Sequence, residues 1–173
     1  MEELEQVWTN QLNEAAERAR AAGRGDVADY LALRLTNDFL RATSVRWLFE
    51  AATEIAAEAN RRHANLIFEK DDPHRFTSGH ATLVGARISF RQGVRCFSIE
   101  AGWTRTPSDG FMRGGALALA RLTHFGLPKQ NSELVLLKID NAPVWFALDA
   151  HGGRSEFHSQ HLQNHFRIFL DAV

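Results

Sequence analysis

The chain has 173 residues, of which 45% are hydrophobic and 24% charged, and a formal net charge of −1. These values are typical of a soluble globular protein, and no apolar run approaches the ~20 residues that span a bilayer, so no membrane association is expected. The single cysteine excludes an internal disulfide and a thiolate zinc site, and the acidic start is unlike a signal peptide, which predicts a cytoplasmic location.

Residues 1–64 have the pattern of helices. The first helix is marked by apolar residues at helical spacing, namely Leu4, Trp8, Leu12, Ala15 and Ala19. Gly23 ends it, Asp26 can cap a second helix, and Ser44 can cap a third. Because no Gly or Pro lies between Asp26 and residue 64, the second and third helices either join or bend around residues 42–44.

After residue 65 the apolar period shortens to two, which predicts strands. A short strand is expected at residues 66–70, ended by Asp71-Asp72-Pro73. Residues 82–91 and 94–103 predict a hairpin around Gln92-Gly93, because a two-residue turn with Gly supplies the positive φ that hairpins need.

This turn sets the pairing of the hairpin. It places Phe90 opposite Arg95 and Ile88 opposite Phe97, with Ala86 opposite Ile99 and Val84 opposite Ala101. One face is then apolar, and the other carries polar residues, namely Arg87, Ser89, Arg91, Cys96, Ser98 and Glu100. A slip of one residue would mix the two faces, so the pattern and the turn agree.

The remaining elements complete an α+β prediction. Residues 104–115 form a long loop, and residues 116–125 are a strand or a helix, with the strand favoured because two glycines precede them. Residues 134–140 and 144–148 make a second hairpin. We therefore predict a single domain, with a helical N-terminal third (1–64) and a C-terminal helix (156–172) packed on an antiparallel β-meander (65–150).

The charge is laid out unevenly along the chain. Residues 74–130 hold eight basic and two acidic residues, whereas residues 1–73 hold nine basic and fourteen acidic ones. Seven of the eight central cations are Arg, whose planar guanidinium suits carboxylate and phosphate. The candidate ligand-binding residues are those left outside the core by strand alternation and the loop: Arg87, Ser89, Arg91, Arg105 and Arg113. Alternatively, these arginines only balance the acidic helices.

The histidines near the C-terminus form a second pattern, which is compatible with a metal site but is explained more simply by a structural role. His158, His161 and His165 share one face of the last helix, at a spacing that can place imidazoles around a metal. A carboxylate group at the end of the first strand, formed by Glu69, Asp71 and Asp72, could add ligands. These histidines are more simply residues at the edge of the core, the acidic group reads as a turn, and Cys96 reads as a packing residue.

The sequence therefore predicts a non-enzymatic module, without a cofactor, that recognises an anionic small molecule or a protein partner. Nucleic acid is not favoured, because the whole chain is not basic. One alternative is a metal-dependent hydrolase or nuclease that uses the last helix and the strand-end carboxylates. Another is a structural protein that forms homo-oligomers through the stripe of Leu4, Trp8 and Leu12 on the first helix.

Overall fold

The computed structural model describes the backbone of residues 2–171 and the side chains of residues 6–171. Within this range the elements in chain order are α1 (Glu2–Ala21), α2 (Gly25–Arg61), β1 (Ile67–Ser78), β2 (Ala81–Gln92), β3 (Arg95–Trp103), β4 (Ala118–His124), β5 (Ser132–Ile139), β6 (Ala142–Leu148), β7 (Arg154–Glu156) and α3 (Ser159–Asp171). The predicted α+β class is confirmed. In the described residues no helix is both long and apolar enough to cross a bilayer.

The chain divides into two compact units, residues 1–42 and 43–173. The first unit is a helical hairpin of α1 and the first part of α2. Gly23 closes α1 with φ +73°, and the amide of Arg24 donates to the carbonyl oxygen of Ala19. The continuous helix α2 carries no break at residues 42–44, so of the two alternatives for the second and third helices, the joined form is the one observed.

The second unit contains one antiparallel sheet in which every strand pairs only with its neighbours in the chain, in the order β1 to β7. Helix α3 packs on one face, where the Phe166 ring meets Phe90 and Phe97 at centroid distances of 5.0 and 5.2 Å. Residues 43–61 of α2 also join the sheet, since the indole of Trp145 on β6 donates to the carbonyl oxygen of Ser44 at 3.2 Å.

The hairpin of β2 and β3 keeps its predicted faces but not its predicted pairing. Phe90 lies opposite Phe97, and Ile88 opposite Ile99, whereas the sequence predicted Arg95 and Phe97 as their partners. The prediction placed Gly93 second in the turn, but Gly93 is the first loop residue, with φ +60°. The observed partners on β3 lie two residues further along the chain than the predicted ones. Because this shift is even, the side chains stay on their predicted faces: Ile88 and Phe90 are buried, and Arg87 is exposed.

Three further element boundaries differ from the predictions. Strand β1 does not end at Asp71-Asp72-Pro73 but continues to Ser78, with a shift in register between Asp71 and His74. A proline is tolerated there because β1 is an edge strand. The second hairpin turns at Asp140-Asn141, both at positive φ. The last helix begins at Ser159 rather than at Glu156, which ends the short strand β7. The strand reading of residues 116–125 is confirmed by β4.

Within the second unit, described residues cover one end of the sheet face opposite α3. There the segment between β3 and β4 folds back, and Ala116 and Met112 pack with Val135 and Leu137 in a second apolar cluster. Toward the β2–β3 turn the same face carries polar and charged side chains. We call this polar part the open face, and define it by Arg87, Ser89, Arg91, Cys96, Ser98 and Glu100.

Candidate functional site

Arg87, on the open face, is neutralised by a cross-strand neighbour. Asp71 on β1 lies directly opposite it, and the Asp71 Oδ2 accepts from Arg87 Nε at 3.0 Å and from Nη2 at 2.6 Å. Both side chains are about half exposed. Because both guanidinium contacts go to one carboxylate oxygen, this arginine has less charge to offer a ligand than the sequence suggested.

A second ion cluster occupies the middle of the sheet. Glu100 accepts from His74 Nε2 through Oε2 and from Arg121 Nη1 through Oε1, both at 2.8 Å. Arg121 also donates to the carbonyl oxygen of Thr77 at 3.1 Å, and its Nε lies 3.7 Å from the Glu133 carboxylate. The Glu100 side chain is only 15% exposed, so the cluster is a well-ordered part of the sheet. Sequence reasoning left Glu100 without a partner, because the pairing of β3 with β4 was unknown.

Arg91 is the arginine of the open face that stands apart. It is exposed, and its side chain makes no hydrogen bond or ion pair in the described part of the chain. Cys96 lies directly opposite it on β3, and the pair Ser89 and Ser98 lies two residues further along the hairpin. On its other side, Ile67 of β1 lies opposite Arg91, and Glu69 follows along β1 opposite Ser89. Of the two arginines of the open face, Arg91 is the one without a carboxylate partner among the described residues.

The five predicted binding residues do not form one site. Arg105 covers the ring of Trp103, with its guanidinium carbon 3.7 Å from the ring centroid, and its Nε donates to the carbonyl oxygen of Val84 at 3.3 Å. Val84 lies on β2 seven residues before Arg91, which is about 24 Å along an extended strand. Arg113 lies in a short 3-10 turn after β3. The structure brings together Arg87, Ser89 and Arg91, and places Arg105 far from them.

The three histidines predicted for the last helix have different surroundings: His158 lies just before α3, and His161 and His165 lie within it. The backbone N–H of His158 donates to His161 Nδ1 at 3.0 Å, just before α3, and the His158 ring lies 3.2 Å from the Glu156 carboxylate. His165 instead points toward the sheet, on the face that α3 covers. Asp71, one of the carboxylates suggested as a metal ligand, lies on the other face of the sheet. In the described ranges no group of three or more His, Cys, Asp or Glu side chains is arranged to hold a metal ion.

His165 belongs to a hydrogen-bonded chain inside the core that the sequence did not reveal. Its Nδ1 lies 2.9 Å from His124 Nε2, and its Nε2 lies 3.3 Å from the Ser132 hydroxyl. Burial, with the nearby His124 and His161, lowers the pKa of His165 to about 4. Burial also lowers the pKa of His124, whose Nδ1 is buried without a partner among the described atoms. Both imidazoles are thus neutral at pH 7.

The chain matches no protein-family model, no curated protein and no solved structure. The geometry of its own residues is what supports a function.

Proposed function

We propose that this protein is a non-enzymatic recognition module, and that it binds an anionic ligand through Arg91 on the open face of the sheet. The ligand is a carboxylate or phosphate group, carried by a small molecule or by an acidic segment of a protein partner. The observation that carries the proposal is the environment of Arg91: an exposed residue without a carboxylate partner among the described residues, beside two serines and a half-buried cysteine, with Ile67 opposite it and Glu69 opposite Ser89 on β1.

The contrast with the neighbouring arginines supports this choice. Arg87 and Arg121 each contact a carboxylate of the chain itself, at 2.6 to 2.8 Å. A ligand at either would have to compete with an existing ion pair, whereas at Arg91 there is no ion pair among the described residues to displace. A planar guanidinium can hold both oxygens of a carboxylate or phosphate, and the hydroxyls of Ser89 and Ser98 can donate to a third acceptor atom.

The proposal is tested by following backbone amide NMR signals while inorganic phosphate, and separately a hexaglutamate peptide, is added. We expect the largest shifts at residues around Arg91, and weaker binding as salt is raised. Arg91→Gln keeps the side chain polar but removes the charge. It should weaken binding by about 10- to 100-fold, the value of one hydrogen bond to a charged group.

Arg87→Gln is the matched control, because it removes the same charge from the same strand face but from an arginine already paired with Asp71. It should change affinity less than threefold. Cys96 supplies a second readout, since it is the single cysteine and lies opposite Arg91. A bound anion should slow its alkylation. Shifts centred elsewhere, or equal losses in the two variants, would show that the ligand does not bind at Arg91.

A further inference from the structure

The first unit has a groove of mixed polar and apolar lining that its own residues leave open. The groove lies between α1 and the first part of α2 and has a volume of about 370 Å³. It is lined by Leu12, Asn13, Ala16, Glu17, Arg20, Leu31, Ala32, Leu35 and Thr36. Five of the nine lining residues are leucines or alanines, and the other four are polar or charged. A cavity of this size is sufficient for a large side chain.

A large exposed side chain lies on the same face of α2 as this groove. Phe39 is 66% exposed. At 100° per residue around the helix axis, the direction of Phe39 differs by about 40° from that of Leu35 and by about 20° from that of Ala32. Both of these residues line the groove. Along the helix axis Phe39 lies about 8 Å from the middle of the groove. Thr36, which is small and exposed, lies halfway between them.

The hairpin also buries little of its own apolar surface. Among residues 6–42 the buried apolar side chains are Leu12, Ala16, Ala19 and Ala28. By contrast, Val7, Trp8, Tyr30, Leu33 and Phe39 are each 43–66% exposed. A unit of about 40 residues with so small a core usually needs an additional source of stability, of which association is the common one.

We propose that the groove is filled by Phe39 of a second copy of this chain. If two α2 helices lie antiparallel with a two-fold axis near Thr36, each Phe39 reaches the groove of the other copy. Such a contact is isologous, with a knob and a hole on each side, so it closes on itself as a dimer. This inference does not depend on the proposed anion site.

The interface differs from the one that the sequence suggested. That hypothesis used Leu4, Trp8 and Leu12 on the first helix. Leu4 lies outside the described side chains, Leu12 is buried within the hairpin, and Trp8 is 43% exposed with the Arg34 guanidinium carbon 5.3 Å from its ring centroid. Trp8 is therefore not enclosed in the core of its own unit, and the knob of the interface is on α2.

Sedimentation of the full chain between about 1 and 100 μM tests the proposal. The wild type should form a concentration-dependent dimer. Phe39→Ala removes both knobs and should weaken dimerisation by at least about 100-fold. Tyr30→Ala is the matched control, since Tyr30 is 62% exposed on the opposite face of the same helix. It should leave the dimer unchanged, and both variants should keep the circular dichroism of the wild type, because they alter exposed residues.

A cysteine placed on the proposed axis gives a positive readout. In a Cys96→Ser background, Thr36→Cys should form a disulfide-linked dimer on mild oxidation, while Tyr30→Cys should not. The proposal is overturned if the wild type is a monomer over the whole range, which would leave the groove to a different protein or to solvent. It is equally overturned if Phe39→Ala dimerises like the wild type, or if both cysteine variants cross-link to the same extent.

Discussion

Lowering the pH should destabilise the second unit through His165. Its pKa is lowered from the ordinary 6.5 to about 4 by burial and by the neighbouring His124 and His161. Between these two values the unfolded chain binds a proton that the folded chain does not, so the stability present at pH 7 is lost as the pH falls. The shift in the pKa of His165 corresponds to roughly 3 kcal/mol of the free energy of unfolding. About 2 kcal/mol of this stability is lost between pH 7 and pH 5.

Urea unfolding of the wild type and of His165→Leu at pH 7 and pH 5 measures this loss. The Leu variant cannot take up the proton, so its free energy of unfolding should fall by about 2 kcal/mol less than that of the wild type over the same interval. Its stability at pH 7 should already be lower, because it lacks the contacts to His124 and Ser132. His151→Gln, in an exposed turn, controls for the removal of a histidine as such. Equal losses in wild type and His165→Leu would refute the reasoning.

Two further substitutions test the sheet. In Gly85→Ala the new Cβ would collide with the Ala101 carbonyl and lie 2.6 Å from the Gly102 Cα, so β2 and β3 must separate, at a cost of about 3 kcal/mol or more. Thermal unfolding should show this, whereas Gly25→Ala, with no atom within 4 Å, should be neutral or slightly stabilising. Glu100→Gln leaves Arg121 and His74 without their carboxylate and should cost about 1–3 kcal/mol in urea unfolding. Arg87→Gln, which breaks an exposed pair, should cost less than about 1 kcal/mol, and similar costs would contradict the central role of Glu100.

The features of the sheet that the sequence predicted correctly are local ones. Alternation along β2 correctly assigned Ile88 and Phe90 to the core and Arg87 to the opposite face, because side-chain direction depends only on parity. The pairing of β2 with β3 was wrong, because it depends on which turn position Gly93 takes. The end of β1 was wrong for a similar reason: a proline reads as a strand terminator unless the strand is known to lie at an edge.

The candidate site could be predicted only in part. Ser89 and Arg91 followed from the hairpin, but the pairing of Arg87 with Asp71 requires β1 to run on past residue 70, which the sequence did not indicate. Of the three histidines predicted to share the last helix, His161 and His165 lie in α3, whereas His158 precedes it. Which imidazole enters the core depends on how Phe166 and Phe169 seat the helix on the sheet, and this is a tertiary contact without a local signal.

The order of the strands has a consequence for how the chain folds. Each hairpin of the meander can close as soon as its two strands exist, which favours rapid formation of the sheet. Helix α3 is made after every strand, yet Phe166 covers Phe90 and Phe97 on strands made much earlier. During synthesis this aromatic face therefore lacks its α3 cover until the last helix leaves the ribosome. Transiently exposed apolar surface of this kind is what makes folding intermediates prone to aggregate.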